Sequence, residues 1–292
     1  MGYKIVVLAK QVPDTRNVGK DAMTPEGTVN RAALPAIFNP EDLNALEQAL
    51  QIKDRFPDST VSVLTMGPAR AAEVIREAMY RGADGGYLLS DRAFAGADTL
   101  ATSYALATAI KKIGAFDIIM CGRQAIDGDT AQVGPQVAEK LGLGQITYAE
   151  KIEKIEGKKI TVKRHIDGGV ETVEGPLPMV ITVNGSADAC RPRNAKRVQK
   201  YKYALTPSEA KDPNNAPKYP EILKTRDYLN ITEWGVADVD GDVKQCGLSG
   251  SPTKVKNVQN IVFQAKESKT FTDSDADIEN LIVDLLNNKI IG

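Results

Sequence analysis

The sequence predicts an α/β protein: a parallel twisted sheet with helices on both faces, plus an antiparallel meander and an extended C-terminal arm. Three observations predict it. In the first half, short apolar runs alternate with amphipathic helical patterns at the spacing of right-handed βαβ crossovers. The runs have the apolar character of strands covered on both faces. After residue 145 the pattern becomes a polar–apolar alternation, and from about 184 the chain is only weakly periodic.

Each element follows from its residues. Lys4 to Leu8 reads as a buried strand. Pro40 to Phe56 reads as a helix with Leu43, Leu46 and Leu50 on one face and Asn39 placed to cap it. Val61 to Met66 is a second strand, after which Pro68 opens a helix through Val74, Ile75 and Met79 that Gly82 closes. Gly86 to Leu89 is a third strand, and Asp98 to Ile113 a helix ending at Gly114. Phe116 to Met120 is a fourth strand, and Thr130 to Leu141 a helix carrying Val133, Val137 and Leu141. The stretch KIEKIEGKKITVKRHIDGGVETVEG has turn signals at Glu156-Gly157 and Asp167-Gly168-Gly169 and reads as a meander over 150–176; PMVITV is one more buried strand. Beyond Asn184 the chain is polar and rich in proline and tyrosine until a final helix near Asp275 to Leu286. Such a tail buries little of its own surface and is expected to wrap over another body, in this subunit or a partner. The expected division is a nucleotide-binding α/β domain over 1–190 and a C-terminal arm with a partner-docking segment over 191–292.

Bulk properties narrow the function. The 292 residues carry a formal net charge of −1 and are 42% hydrophobic, enough for a sizeable core. A dedicated nucleic-acid binder would show a basic excess. The first apolar run, Ile5 to Leu8, is too short for a signal peptide, and no stretch approaches a membrane span. Cys121, Cys190 and Cys246 are scattered without a CxxC pair, which suggests neither a disulfide framework nor a metal site. A soluble cytoplasmic protein is expected.

In an open parallel sheet the ligand site lies beyond the carboxyl ends of the strands. Four segments fall there: AKQVPD (9–14), FNPED (38–42), TMGP (65–68) and CGRQAIDGDTAQVGP (121–135). The last is the most informative. Gly122 and Gly128 permit close backbone approach or positive φ. Thr130, Ala131 and Gln132 are expected to begin a helix whose free N–H groups suit a phosphate. Arg123 adds positive charge, while Asp127 or Asp129 would cap the helix or accept from a ribose hydroxyl. Gly67 ends the second strand, where a nucleotide would lie. The alternative is a capped strand-to-helix connection with incidental glycines. The lysine of a Walker A loop is missing, so nucleoside triphosphate hydrolysis is poorly supported.

Catalytic groups are scarce. His165, the single histidine, falls in the meander and reads as an exposed strand residue, which removes Ser-His-Asp and Cys-His catalysis. A nucleotide site without acid–base machinery suggests that the bound ligand does the chemistry. The basic run CRPRNAKRVQKYKY (190–203) is either a solvated surface or a docking segment for an acidic partner or a cofactor phosphate.

Several motifs stand in order along the chain: AKQVPDT, NPED followed by ALEQALQIKD, TMGPARAAEVIREAMYRGAD, SDRAFAGADTLATS, CGRQAIDGDTAQVGPQVAEKLG and GLSGSPTKV. Together they resemble the β subunit of electron transfer flavoproteins, through most of 3–185 and again near 246. The resemblance implies an adenine-nucleotide-binding, Rossmann-like fold and a heterodimer with an α subunit. It implies that Leu8, Asn39, Pro40, Glu41, Asp42, Met66 and the loop Gly122, Arg123, Gln124, Ala125, Ile126, Asp127, Gly128, Asp129, Thr130, Ala131, Gln132 and Val133 line the nucleotide. Ordinary members hold a structural AMP there. QVPDT, SDRAFAGADTLATS and GDTAQVG resemble the bifurcating branch, in which the pocket holds FAD. That branch takes a hydride from NADH and passes electrons to ferredoxin and, through the α-subunit FAD, to a flavin dehydrogenase. The segment near 185–200 should dock that dehydrogenase. The stretch that follows, ALTPSEAKDPNNAPKYPEILKTRDYLNITEWG (204–235), is longer than usual for the family and suggests a dedicated one, with 205–220 expected to carry its docking. A nucleotide-sensing protein without a redox role is the alternative of another class.

Overall fold

The computed structural model of the chain describes residues 2–14, 35–212, 220–253 and 268–291. From the N-terminus come β1 (Lys4–Leu8), then β2 (Gln11–Pro13) and β3 (Ala36–Phe38), a short antiparallel pair. Then follow α1 (Pro40–Arg55), β4 (Thr60–Met66), α2 (Ala72–Arg81), β5 (Gly85–Leu89), α3 (Thr99–Ile113), β6 (Ile118–Gly122) and α4 (Val133–Leu141). The meander is β7 (Gly144–Glu156), β8 (Lys159–Ile166) and β9 (Gly169–Pro176), and β10 (Met179–Val183) follows it. The remainder carries α5 (Ala195–Tyr201), α6 (Pro207–Lys211), α7 (Pro220–Thr225), β11 (Thr232–Trp234), α8 (Gly247–Gly250) and α9 (Asp275–Asn287).

Among the described residues nine strands form one sheet in the order β11-β5-β4-β1-β6-β10-β7-β8-β9. From β11 to β7 all neighbours are parallel; β7, β8 and β9 pair antiparallel. The meander is therefore the continuation of the main sheet. The turns fall at Gly157 and Gly168, both at positive φ (57° and 80°), as the sequence signals require. Alternate strand residues feed two cores, as the period of a strand dictates. Ile5, Val7, Val61 and Val63 pack with Leu46, Leu50 and Ile75 of α1 and α2. Val6, Leu8 and Leu64 pack with Leu106, Ile110 and Val137 of α3 and α4. The winding reverses at β1, which has β4 on one side and β6 on the other, so the crevice of the fold opens between the ends of β1 and β6.

Two sequence expectations fail. The helix expected from Thr130 starts at Val133, with Gln132 as its N-cap and Pro135 in its first turn. Thr130 cannot begin it because Asp129 and Ala131 hold positive φ, 49° and 52°, which no α-helix accommodates. Asn39 precedes α1 as expected, but its side chain makes no capping bond and turns instead toward the loop after β6.

Much of the tail wraps its own subunit. Tyr201, Ala204, Leu229 and Ile231 join the core under α1 and α2, while Val239 and Cys246 join the other. β11 extends the sheet beyond β5, and Trp234 stacks on Tyr87 with ring centroids 4.7 Å apart. Gly247, at φ 51°, lies where a Cβ would meet the Ala93 carbonyl oxygen at 2.2 Å. Next to it, Asp98 caps α3 through Ala101 N–H and also accepts from Thr253 Oγ1 at 2.7 Å. Residues 213–219, within the stretch expected to serve a dedicated dehydrogenase, and 254–255 of the last motif lie outside the described residues.

One ion pair locks α6 in place. Arg76 of α2 makes two parallel bonds to Glu209, each 2.9 Å, and donates to the Ala204 carbonyl at 3.1 Å. Glu209 also closes a capping box with Thr206. The Glu209→Ala variant leaves Arg76 largely buried with its strongest partner gone and is expected to lose about 3 kcal/mol of stability, read as a lowered urea midpoint.

Candidate functional site

The first turn of α1 organises the crevice. Asp42 accepts from Gly122 N–H (2.8 Å) with one carboxylate oxygen and from Lys10 N–H (2.9 Å) with the other, tying the end of β6 to the chain leaving β1. Glu41 accepts from Arg123 Nη2 at 2.8 Å and from Gln124 N–H at 3.0 Å. Asn39, wholly buried, donates to the Gln124 carbonyl at 2.8 Å and accepts from Ile126 N–H at 3.2 Å. Pro40 occupies the opening of the helix, where its missing N–H is no loss. Gly122 has to be glycine: a Cβ would stand 2.6 Å from Asp42 Oδ1. Its close approach is to α1, whereas Gly128 has ordinary φ and no atom within 4 Å of an added Cβ.

The loop from Arg123 to Gln132 is thereby held at its start and left open at its end. Gly128 and Asp129 N–H both donate to the Ala125 carbonyl. Among the described residues, the next five N–H groups, from Thr130 to Gly134, have no hydrogen-bond partner. Val133 and Gly134 are in the first helical turn, where the helix dipole adds positive potential. The carboxylates nearby are each engaged. Asp127 meets Lys10 Nζ at 2.7 Å, Asp129 accepts from Gln124 Nε2 at 2.8 Å, and Glu41 is paired with Arg123. Paired in this way, they oppose an incoming anion less than free carboxylates would. Gln132 accepts from Thr99 Oγ1 at 2.8 Å, joining the loop to the start of α3. Gly134 allows α4 to press on the sheet, since a Cβ would meet Thr182 Cγ2 at 2.6 Å and Cys121 Sγ at 2.9 Å.

The other expected residues flank this loop. Leu8 is paired in register with Cys121, on the β6 side of β1, and with Leu64 on the other. Met66 ends β4 half-buried, and Gly67 N–H donates to the Leu89 carbonyl. Just before them, Thr65 is fully buried and its hydroxyl has no partner among the described residues, a polar atom left over near the strand ends. The open N–H run and this orphaned hydroxyl fit a phosphate-bearing polar ligand. Thr65, Thr99 and Lys10 were not singled out from sequence. Each lies within a stretch that was: Lys10 in AKQVPD, Thr65 at the head of TMGP and Thr99 in SDRAFAGADTLATS.

Burial governs the charges here. It pushes the Asp42 carboxyl up to about 7, against the opposing pull of the two N–H bonds. Burial, with the charges of Asp42 and Glu41, holds the Cys121 thiol far above its ordinary range, so this cysteine stays protonated and inert as a nucleophile.

Fold and loop define a doubly wound α/β protein whose strand–loop–helix leaves a run of open N–H groups at the topological switch point. Residues 26–206 match the electron transfer flavoprotein domain. The chain is 43% identical to the electron transfer flavoprotein subunit beta of Megasphaera elsdenii, over 99% of this chain and 98% of the relative. It is 44% identical to the caffeyl-CoA reductase-Etf complex subunit CarD of Acetobacterium woodii, over 86% of each. It is 51% identical to the acryloyl-CoA reductase electron transfer subunit gamma of Anaerotignum propionicum, over 61% of this chain and 66% of the relative. The chain belongs to the electron transfer flavoprotein family, as a β subunit. No helix among the described residues is long and apolar enough to cross a membrane.

Asp42 gives a pH signature. Its folded-state pKa, about 7, lies above the ordinary 3.8, so its contribution to stability is full below pH 3.8 and is lost as pH rises through 7. Asp42→Asn removes that slope from urea unfolding measured across the same range. Its amide nitrogen also faces one of the two N–H donors, and the variant is expected to be less stable than the parent at the acid end by about 1–3 kcal/mol.

Proposed function

We propose that this β subunit holds FAD in the crevice between β1 and β6. With an α subunit, it would take part in NADH-dependent electron bifurcation. Electrons would pass to ferredoxin and, through the α-subunit FAD, to a partner flavin dehydrogenase. The observation that carries the reading is the run of open N–H groups from Thr130 to Gly134, which suits a pyrophosphate. In this reading Asn39 to Asp42, Leu8, Met66 and Gly67 enclose the adenosine half. When bound, the flavin supplies hydride acceptance and one-electron transfer, for which the chain needs no acid–base group of its own. The protein's part is to fix the loop through Glu41, Asp42 and Asn39 and to keep its carboxylates paired. The names of two relatives, subunits of a caffeyl-CoA reductase complex and of an acryloyl-CoA reductase, support service to a dedicated dehydrogenase. So does the motif resemblance to the bifurcating branch.

Two surfaces fit the partners. In α9, Ile278, Ile282 and Leu286 recur every fourth residue and stand exposed, an apolar stripe suited to the α subunit. In the basic segment Arg191 is committed to Glu47 and Asp54, while Lys196, Lys200 and Lys202 face solvent and suit an acidic dehydrogenase surface.

Co-expression with the α subunit and extraction of nucleotides tests the reading: two FAD per heterodimer are expected, and one FAD with one AMP would overturn it. Ile282→Asp places a charge within the α9 stripe. It is expected to weaken the heterodimer by about tenfold or more in analytical ultracentrifugation, with the FAD content of this subunit unchanged.

A further inference from the structure

Tyr148 stands where β7 changes partners. The strand pairs parallel with β10 from Gly144 to Ala149 and antiparallel with β8 from Ala149 to Glu156, and the register with β10 slips between Ile181 and Val183. The slip leaves Tyr148 at φ 57°, a conformation suited to glycine and strained for a tyrosine. The fold makes little use of the ring. It is 39% exposed, and its hydroxyl has no hydrogen-bond partner among the described residues; the bond made here, N–H to Thr182 Oγ1 at 3.2 Å, is a backbone bond. Across its face, 5.6 Å from the centroid, lies the Arg123 guanidinium, itself fixed by Glu41. A strained, exposed aromatic ring with a positioned cation is a recognition surface by chemistry: both groups present flat faces for stacking.

Its place agrees. Gly122, Val183 and Ala149 are register partners across the ends of β6, β10 and β7. Tyr148 is thus on the far side of the loop from Leu8 and Met66. A dinucleotide with adenosine over β1 and β4 and pyrophosphate at the start of α4 carries its second ring toward this side. We propose that Tyr148, faced by Arg123, is the stacking shelf for the isoalloxazine ring of a flavin dinucleotide, and that this shelf favours FAD over AMP in the pocket. The inference rests on the FAD reading above and specifies how that ligand is selected.

Glycine separates the shelf from the scaffold, because it suits the backbone at 148 and removes only the ring. The full chain, stripped of nucleotide, is titrated with FAD and separately with AMP, and unfolded in urea, as the parent, Tyr148→Gly and Tyr148→Phe. In Tyr148→Gly the Kd for FAD is expected to rise by about tenfold or more while that for AMP stays within about twofold, with no loss of stability. Tyr148→Phe should retain both FAD affinity and the quenching of flavin fluorescence that stacking produces. If the parent binds FAD and Tyr148→Gly binds it equally well, or if FAD and AMP weaken alike, the shelf is overturned and the FAD reading survives. If the parent takes AMP and no FAD, the FAD reading falls, and the shelf with it.

Discussion

The carboxylate of Asp42 is the contact on which the rest of the crevice depends. Two strands that reverse the winding of a sheet leave their ends apart, with N–H groups facing inward. One buried carboxylate, delivered by the first turn of α1, accepts from both. Because α1 is anchored in the core through Leu46 and Leu50, the position of the carboxylate is set by packing that spans the whole domain. Gly122 is the complementary requirement, since any side chain there would displace the acid. Burial pushes this group up to about 7, against the pull of the two N–H bonds that hold the junction.

From that junction the electrostatics of the loop follow. A loop with two aspartates and a glutamate close by would ordinarily repel phosphate. Here each acid is already met, by Lys10, Gln124 or Arg123, so that the next polar groups along the chain are backbone donors. The positive φ at Asp129 and Ala131 delays the helix to Val133 and lengthens the run of open N–H groups. Strain and open donors in one short stretch suit the preorganised anion site proposed above, where a bound anion would use the donors.

Apolar runs and turn residues made the parallel body and the meander readable from sequence, since both patterns are local. What escaped was decided by distant contacts. Asn39 has every local mark of a cap, yet Gln124 and Ile126 claim its side chain. The start of α4 was placed too early by its threonine and glutamine; Pro135, favoured in a first turn, is the sign that points to Val133. The tail defeated periodicity because its elements are short, and Tyr201, Leu229 and β11 are held by residues far away in sequence. Of the site, the loop was visible as a composition of glycine, charge and threonine. The orphaned hydroxyl of Thr65 and the register slip beside Tyr148 were not, since both exist only in three dimensions.

The return of β11 to pair with β5 also has a temporal side. On the ribosome, β5 emerges early and its outer row of amide and carbonyl groups lacks a neighbour until residues 232–234 have been translated. Throughout that interval the nascent body carries an uncapped border, open to strands of other chains. Synthesis through Trp234 closes it, so a truncation before that point would yield a sheet with a sticky rim and a tendency to aggregate, whatever its capacity for nucleotide.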